Sequence, residues 1–359
     1  MSIAPGRRLH PLGTHRVIDP PGAMPQNAWK IDNTPVALDN EILCEVEVLN
    51  IDSASFKQIA DACHGDAARI AEHVHGTVRE RGKQHNPVTG SGGMFIGYVR
   101  EIGRDLRDAL DLHEGERIAS LVSLTLTPLH IESIERVCVT TGRIWVRGKA
   151  VLFASGLWAT LPDDIDENVA LAVLDVAGAP AQVRRLCEPG QTVAIIGADG
   201  KSGMLACAQA KARVGSGGHV IGVAPSDQTD AARLLIEHGL VDSFVVADAR
   251  DALDLSEKVA LRALQLADVT INCVNVPGTE LASILCTKDR GTVYFFSMST
   301  SFSAAALGAE GVGKDVTMIV GNGFVRGHAQ TALQTLRDHP PIHAYFTQRY
   351  ATRQGTSKP

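Results

Sequence analysis

The sequence predicts an α/β protein of two domains, a strand-rich first half followed by an open, doubly wound parallel sheet. Three observations carry this. The chain has 359 residues, more than one core of roughly 150 residues accommodates. After Pro162, Val- and Ile-rich runs alternate with helical segments, as in parallel strands covered on both faces. A turn spaced Gly197-x-x-Gly200-x-x-Gly203 joins one of those strands to the next helix.

In chain order, residues 41–49 (EILCEVEVL) alternate apolar and charged side chains, the pattern of a strand with one buried face. Residues 61–81 read as a charged, histidine-bearing helix. Residues 86–93 (NPVTGSGG) are a turn cluster, and strand character returns over 94–102. Residues 114–122 read as a turn feeding a strand, and 144–152 as another strand. Residues 163–186 are apolar at helical spacing. Strands then follow at 192–197, 219–223, 243–247, 269–274, 292–296 and 316–320. Helices are expected at 201–214, 227–238 and 252–266, with a last one in 325–350 running through Leu336.

Composition narrows the function. Lys plus Arg is 34 and Asp plus Glu is 40, a net charge of −6. A general nucleic-acid binder needs a basic surplus instead. Aromatics are 4%, which disfavours a sugar- or base-stacking surface. The seven cysteines include no CxxC pair, so reduced thiols in a cytoplasmic protein are expected. No apolar run approaches a membrane span, and no apolar stretch follows Arg7 and Arg8 as in a secretory signal. Cys63, His64, His73 and His75 match no metal-ligand spacing, and a solvated helix face is the expected reading. No metal is expected.

The segment TVAIIGADGKSG (192–203) is the most informative. Glycines allow the tight turn, close backbone approach to a diphosphate and close helix–strand packing, while the helix N-terminus offers free N–H groups. Gly197, Gly200, Lys201, Ser202 and Gly203 are therefore candidate cofactor contacts, with Ser226 beyond the second strand. A kinase-type phosphate loop fails on spacing, because Ile195 stands five residues before Gly200 where that motif has glycine. An acidic residue for the adenosine ribose should end the second strand, yet Val223-Ala224-Pro225-Ser226 has none, and no Arg is adjacent. The cofactor is thus NAD or NADP, the choice left open. Later strand ends carry Asn272, Cys273, Asn275, Ser297, Ser299, Thr300 and Asn322, small polar residues suited to a ribose and a carboxamide.

Taken together, the strand-rich half, the segments LPDDIDENVALAVLDVAGAPAQV (161–183), NPVTGSGGMFIGYVREIG (86–103) and EGERIASLV (114–122), and the nucleotide fold resemble the medium-chain dehydrogenase/reductase superfamily. The resemblance implies a GroES-like catalytic domain (1–165 and 325–359) and a Rossmann domain (166–324). Where zinc members place a Cys and a Gly-His-Glu, this chain reads Asn50-Ile51-Asp52-Ser53 and Gly90-Ser91-Gly92, which implies a zinc-free branch. Longer phrases, among them GTHRVIDPPG (13–22), LNIDSASF (49–56), INCVNVPGTE (271–280) and AALGAEGVGKDVTMIVGNG (305–323), resemble a branch that deaminates a diamino acid. That implies reversible, NAD(P)-dependent conversion of 3,5-diaminohexanoate to 5-amino-3-oxohexanoate and ammonia, by a homodimer.

Such chemistry needs a base for the amine, anionic groups for a second ammonium, and donors for the substrate carboxylate. Glu310, in a small-residue apolar segment, is the first candidate base, with Lys314 four residues on as its partner. Asp175, in an apolar run, is assigned to a substrate ammonium. Asp52, Ser53 and Ser91 are candidates to face substrate, with Thr300, and Arg16 and Lys30 to hold its carboxylate. Two alternatives stay open: quinone or enoyl reduction on the same fold, which needs no carboxylate at the substrate, and a non-catalytic nucleotide-sensing subunit.

Overall fold

A computed structural model describes residues 9–86, 92–263, 265–297, 299–321 and 323–351, with backbone alone for Ser53 and Ala54. The chain divides into two units, Met1–Leu161 and Pro162–Pro359.

The first unit is built on β3 (Glu41–Asn50), which pairs antiparallel with β4 (Met94–Ile102) on one side and β7 (Arg143–Phe153) on the other. Ile42, Leu43, Cys44, Val46, Val48 and Leu49 are all buried, more than the one face expected, while Glu45 stays exposed and Glu47 half-buried. The sheet continues through β6 (Leu129–Cys138), β5 (Arg117–Ser120) and β8 (Trp158–Thr160) in the order β6-β7-β3-β4-β5-β8. A short ribbon of β1 (Val17–Asp19) and β2 (Lys30–Ile31) stands beside it. The helix expected over 61–81 is α2 (Ala67–Arg81), preceded by a separate helix that the sequence reading did not expect, α1 (Ser53–Ala62). They break at His64 and Gly65, both at positive φ, and Asp66 restarts the helix by accepting from the Ala68 and Arg69 N–H groups. Ile70, Val74 and Val78 recur at helical spacing on the buried face of α2, against β6.

The second unit opens with α3 (Glu167–Leu174), capped by Asp166, and α4 (Gly178–Leu186). The single apolar run expected here divides at residues 175–177, and a Cβ at Gly178 would overlap the Gly323 backbone, which passes against the start of α4. Strands and helices then alternate: β9 (Thr192–Ile196), α5 (Lys201–Val214), β10 (His219–Ala224), α6 (Asp230–Glu237), β11 (Ser243–Val246) and α7 (Ala252–Ala263). After them come β12 (Ala267–Asn272), α8 (Glu280–Cys286), β13 (Thr287–Phe295), α9 (Phe302–Gly311) and β14 (Thr317–Val320). Every pair is parallel, in the order β11-β10-β9-β12-β13-β14. The central strand β9 is buried throughout, which is why TVAII carries no exposed polar face.

Residues 325–359 were assigned by resemblance to the first domain. Here α10 (His328–Asp338) and α11 (Pro340–Tyr350) cluster with the second unit: α10 packs on α3, α4 and α5, and Arg337 donates to Asp164 at 2.7 and 2.8 Å. The apolar stripe Ala329, Ala332, Leu333, Leu336 supplies the reason.

Candidate functional site

In the second unit the chain leaves β9 and β12 in opposite directions along the sheet. In open parallel sheets this switch leaves a crevice at the strands' carboxyl ends. A cavity of about 800 Å³ lies there, walled by the ends of β9, β10, β11 and β12, a size usual for small-molecule sites.

The glycine turn forms its floor. Gly197 sits at φ 83, a left-handed conformation open to glycine at little cost, and a Cβ there would stand 2.9 Å from Val274 Cγ2. The Gly197 and Ala198 N–H groups both donate to Val223 O at 2.9 Å, holding the turn against the end of β10. A Cβ at Gly203 would overlap the Gly197 carbonyl, so glycine alone lets α5 approach so closely. Gly200 precedes α5, and no side chain caps the helix. Its first N–H groups and the positive end of its dipole are therefore available to an anion. A diphosphate fits this cradle sterically and electrostatically.

Other expected residues converge here. Lys201, Ser202, Cys273 and Asn275 line the cavity with Gly197 and Gly200, while Gly203 lies behind them. Burial pushes the Cys273 thiol up to about 12, against a hydrogen bond from Ser202, so it is a neutral group. Asn272 is buried and spends its amide on Thr279 Oγ1 (2.8 Å) and Ser283 Oγ (2.9 Å), which fixes the exit of β12. Ser297 and Ser299 both donate to Asn275 Oδ1, at 3.3 and 2.7 Å. Ser226 stands outside the lining, its Oγ accepting from the Gln228 N–H. Thr300 N–H donates to Ser297 O. Asn322 and Ser91 lie outside the described residues.

The cavity also holds charges that the strand-end reading passed over: Asp199, Asp248, Arg250, Asp254 and Lys258. Arg250 grips Asp248, whose carboxyl these hydrogen bonds hold down to about 2. Lys258 donates to Asp254 at 2.7 Å and to Val246 O at 3.1 Å. Asp199 was visible inside the glycine motif itself.

Several assigned roles are corrected. Asp175 is not buried; it ends α3 at the surface, and its cation is Lys201 Nζ at 2.6 Å. Glu310 is exposed near the end of α9 and lacks the burial that was to raise its pKa. Lys314 lies beyond that helix and donates to Thr287 O at 2.6 Å, so no helical Glu310–Lys314 pair forms.

In the first unit, Arg16 is 1% exposed and wholly committed. It donates to both Glu41 oxygens (2.8 and 2.6 Å) and to the carbonyls of Asp32, Thr34 and Val36, leaving no donor for a substrate carboxylate. Glu41 also accepts from His15 Nε2 at 2.8 Å. Burial alone would raise the Glu41 carboxyl, but Arg16 and His15 outweigh it and hold it below the usual range. Lys30 is exposed on β2. Asp52 caps α1, Oδ1 accepting from the Ser55 N–H at 2.9 Å. Its Oδ2 is buried with no partner among the described residues, as are Gln84 Oε1 and His85 Nδ1. Burial, then the Arg81 and Lys83 charges, push the His85 imidazole down to about 4, so it is neutral near pH 7. Asn86 ties this segment to α1 through Gln58 Oε1 at 3.1 Å. Sequence reading missed Gln84 and His85 because nothing in their spacing announces buried, unpaired atoms. Among the described residues, no cluster of three His, Cys, Asp or Glu side chains is placed to hold a metal.

Comparison with known proteins follows the same lines. A mycobacterial quinone oxidoreductase superposes with a TM-score of 0.51 at 17% identity, covering 88% of this chain and 83% of its own. An enoyl reductase does so with a TM-score of 0.50 at 16% identity, covering 88% and 79%. These show the GroES-like plus Rossmann fold. A family model described as the L-erythro-3,5-diaminohexanoate dehydrogenase N-terminal domain matches residues 15–162. Two proteins named L-erythro-3,5-diaminohexanoate dehydrogenase, from Acetoanaerobium sticklandii and Fusobacterium nucleatum, are each 50% identical over 339 residues, 94% of this chain and 98% of theirs. The chain therefore belongs to the L-erythro-3,5-diaminohexanoate dehydrogenase family of oxidoreductases.

Proposed function

We propose that this protein catalyses the reversible oxidative deamination of L-erythro-3,5-diaminohexanoate to 5-amino-3-oxohexanoate and ammonia. The observation that carries the reading is 50% identity across nearly the whole chain to two dehydrogenases of that name. The glycine cradle adds the physical means to hold a nicotinamide dinucleotide. Gly197, Gly200 and the first turn of α5 would hold its diphosphate, and the chemistry it would supply is a hydride acceptor for C3.

The protein's own work is to bind, orient and move protons. The C3 ammonium must lose a proton before C3–H can leave as hydride, and water must then add to the resulting iminium to expel ammonia. We assign the proton-accepting carboxylate to Asp52, whose Oδ2 has no partner among the described residues and whose neighbouring segment carries a neutral imidazole, His85. Exposed Lys30 serves the substrate carboxylate. Residues lost to scaffold duty, Arg16 above all, have no part in this reading.

The test is ammonia-dependent oxidation of NADH or NADPH by the full-length protein with 5-amino-3-oxohexanoate. Turnover with a quinone or enoyl substrate, and none with the keto acid, would favour the alternative reductase reading. Coenzyme binding without any turnover would favour a sensing subunit. Asp52→Asn should abolish deamination and leave coenzyme affinity unchanged. Loss on Glu310→Gln instead would move the base to α9.

In the same reading the protein works in lysine degradation as a cytoplasmic homodimer. All seven thiols are free, and no helix among the described residues is long and apolar enough to cross a membrane. The edge strand β14 exposes Val320, and α9 exposes Phe302 and Leu307, an apolar margin suited to a second copy. Light scattering of the purified protein tests the dimer.

A further inference from the structure

The end of β10, where a carboxylate would ordinarily hold the adenosine ribose, has none: Ala224 and Pro225 wall the cavity there. A carboxylate nevertheless reaches that place from another loop. The glycine turn is pinned to β10, since the Gly197 and Ala198 N–H groups share Val223 O. The next residue, Asp199, extends from this pinned turn toward the loop after β10. Its Oδ2 accepts from Thr229 Oγ1 at 3.4 Å, and Thr229 is the N-cap of α6, the helix that follows β10. The carboxylate is half-buried and lines the cavity. Thr229 orients it with a long hydrogen bond and leaves acceptor capacity on both oxygens.

The cations around the cavity point the same way. Among the described residues, those that line it are Lys201, Arg250 and Lys258, and each pairs with a carboxylate: Asp175, Asp248 and Asp254. A 2′-phosphate would bring nearly two negative charges beside Asp199 and would have to compete with Asp175, Asp248 and Asp254 for those cations. A 2′-hydroxyl would instead donate to Asp199 as a charge-assisted hydrogen bond.

Resting on the coenzyme reading above, we propose that Asp199, from the glycine turn, replaces the missing strand-end acid and selects NAD over NADP. Specificity arises here from attraction to one ligand and repulsion of the other. The residue touches the coenzyme's ribose and takes no part in hydride or proton transfer.

Calorimetric titration of the full-length protein with NAD⁺ and with NADP⁺ tests this without turnover. The wild type should bind NAD⁺ at least ~10-fold more tightly, about 1.4 kcal/mol. Asp199→Asn keeps the shape and the Thr229 contact but removes the charge; it should shrink that ratio at least ~5-fold, mainly by tightening NADP⁺. Asp199→Ser should shrink it too, guarding against a local effect of the amide. Equal affinities in the wild type, or a ratio unchanged within about twofold in both variants, would overturn the proposal while leaving the coenzyme reading intact. If neither dinucleotide binds the wild type, the coenzyme reading falls and the proposal with it.

Discussion

Arg16–Glu41 in the first unit and Lys201–Asp175 in the second are both ion pairs closing at 2.6 Å. Their side chains are 1% and 0% exposed in the first case, and 26% and 53% in the second. Equal distance conceals unequal roles. The sealed pair sits with His15 among backbone carbonyls and knits residues 15–41 into one piece of scaffold. The open pair lies on the rim of a cavity, where screening makes it weak. Ion-pair geometry alone identifies neither stability nor function; what surrounds the pair decides.

The largest expected effect tests the sealed pair. Glu41→Ala strands a buried guanidinium and should cost about 3–5 kcal/mol in urea unfolding. A loss below about 1 kcal/mol would place this pair with the exposed ones. The next tests the cavity floor. Gly203→Val forces a side chain onto the Gly197 carbonyl and should weaken coenzyme binding by at least ~100-fold in a fluorescence titration, since α5 must move off the turn.

Acid should separate the two pairs more gently. Glu41 has its folded pKa below the unfolded value, so its contribution is fully present above about 4.5 and fades as pH falls through the lower folded value. Where Glu41→Gln folds, its acid unfolding limb should be shallower than the wild type's; parallel limbs would contradict the linkage. The smallest effect belongs to the open pair: Asp175→Ala should change stability by less than about 1 kcal/mol.

Much of the second unit was legible because its signals are local. The helix 201–214 and the parallel strands emerge at their expected places, since uninterrupted apolar runs and glycine punctuation require no knowledge of distant residues. In the first unit β4 runs from Met94 to Ile102 as expected, yet β6 and α1 were missed. The outer strand β6 has a mixed burial pattern, and α1 owes its start to a cap at Asp52 that the sequence presents as one more turn residue. Site residues divide the same way. Those on the glycine turn came from spacing. Arg16 was misread because a sealed arginine and a substrate-binding one have the same letter, and only tertiary contacts distinguish them. Asp199, the acid we propose for the ribose, escaped because that acid was sought at the end of one strand, while Asp199 extends from the turn of its neighbour.

The cavity's walls come from turns leaving one end of a single sheet, while the strands beneath keep their own hydrogen-bonded ladder. On the proposal made above, coenzyme taste and structural integrity are written in separate stretches of the chain. A lineage can rewrite the turns by single substitutions, and switch its redox currency, while leaving the strand registers untouched.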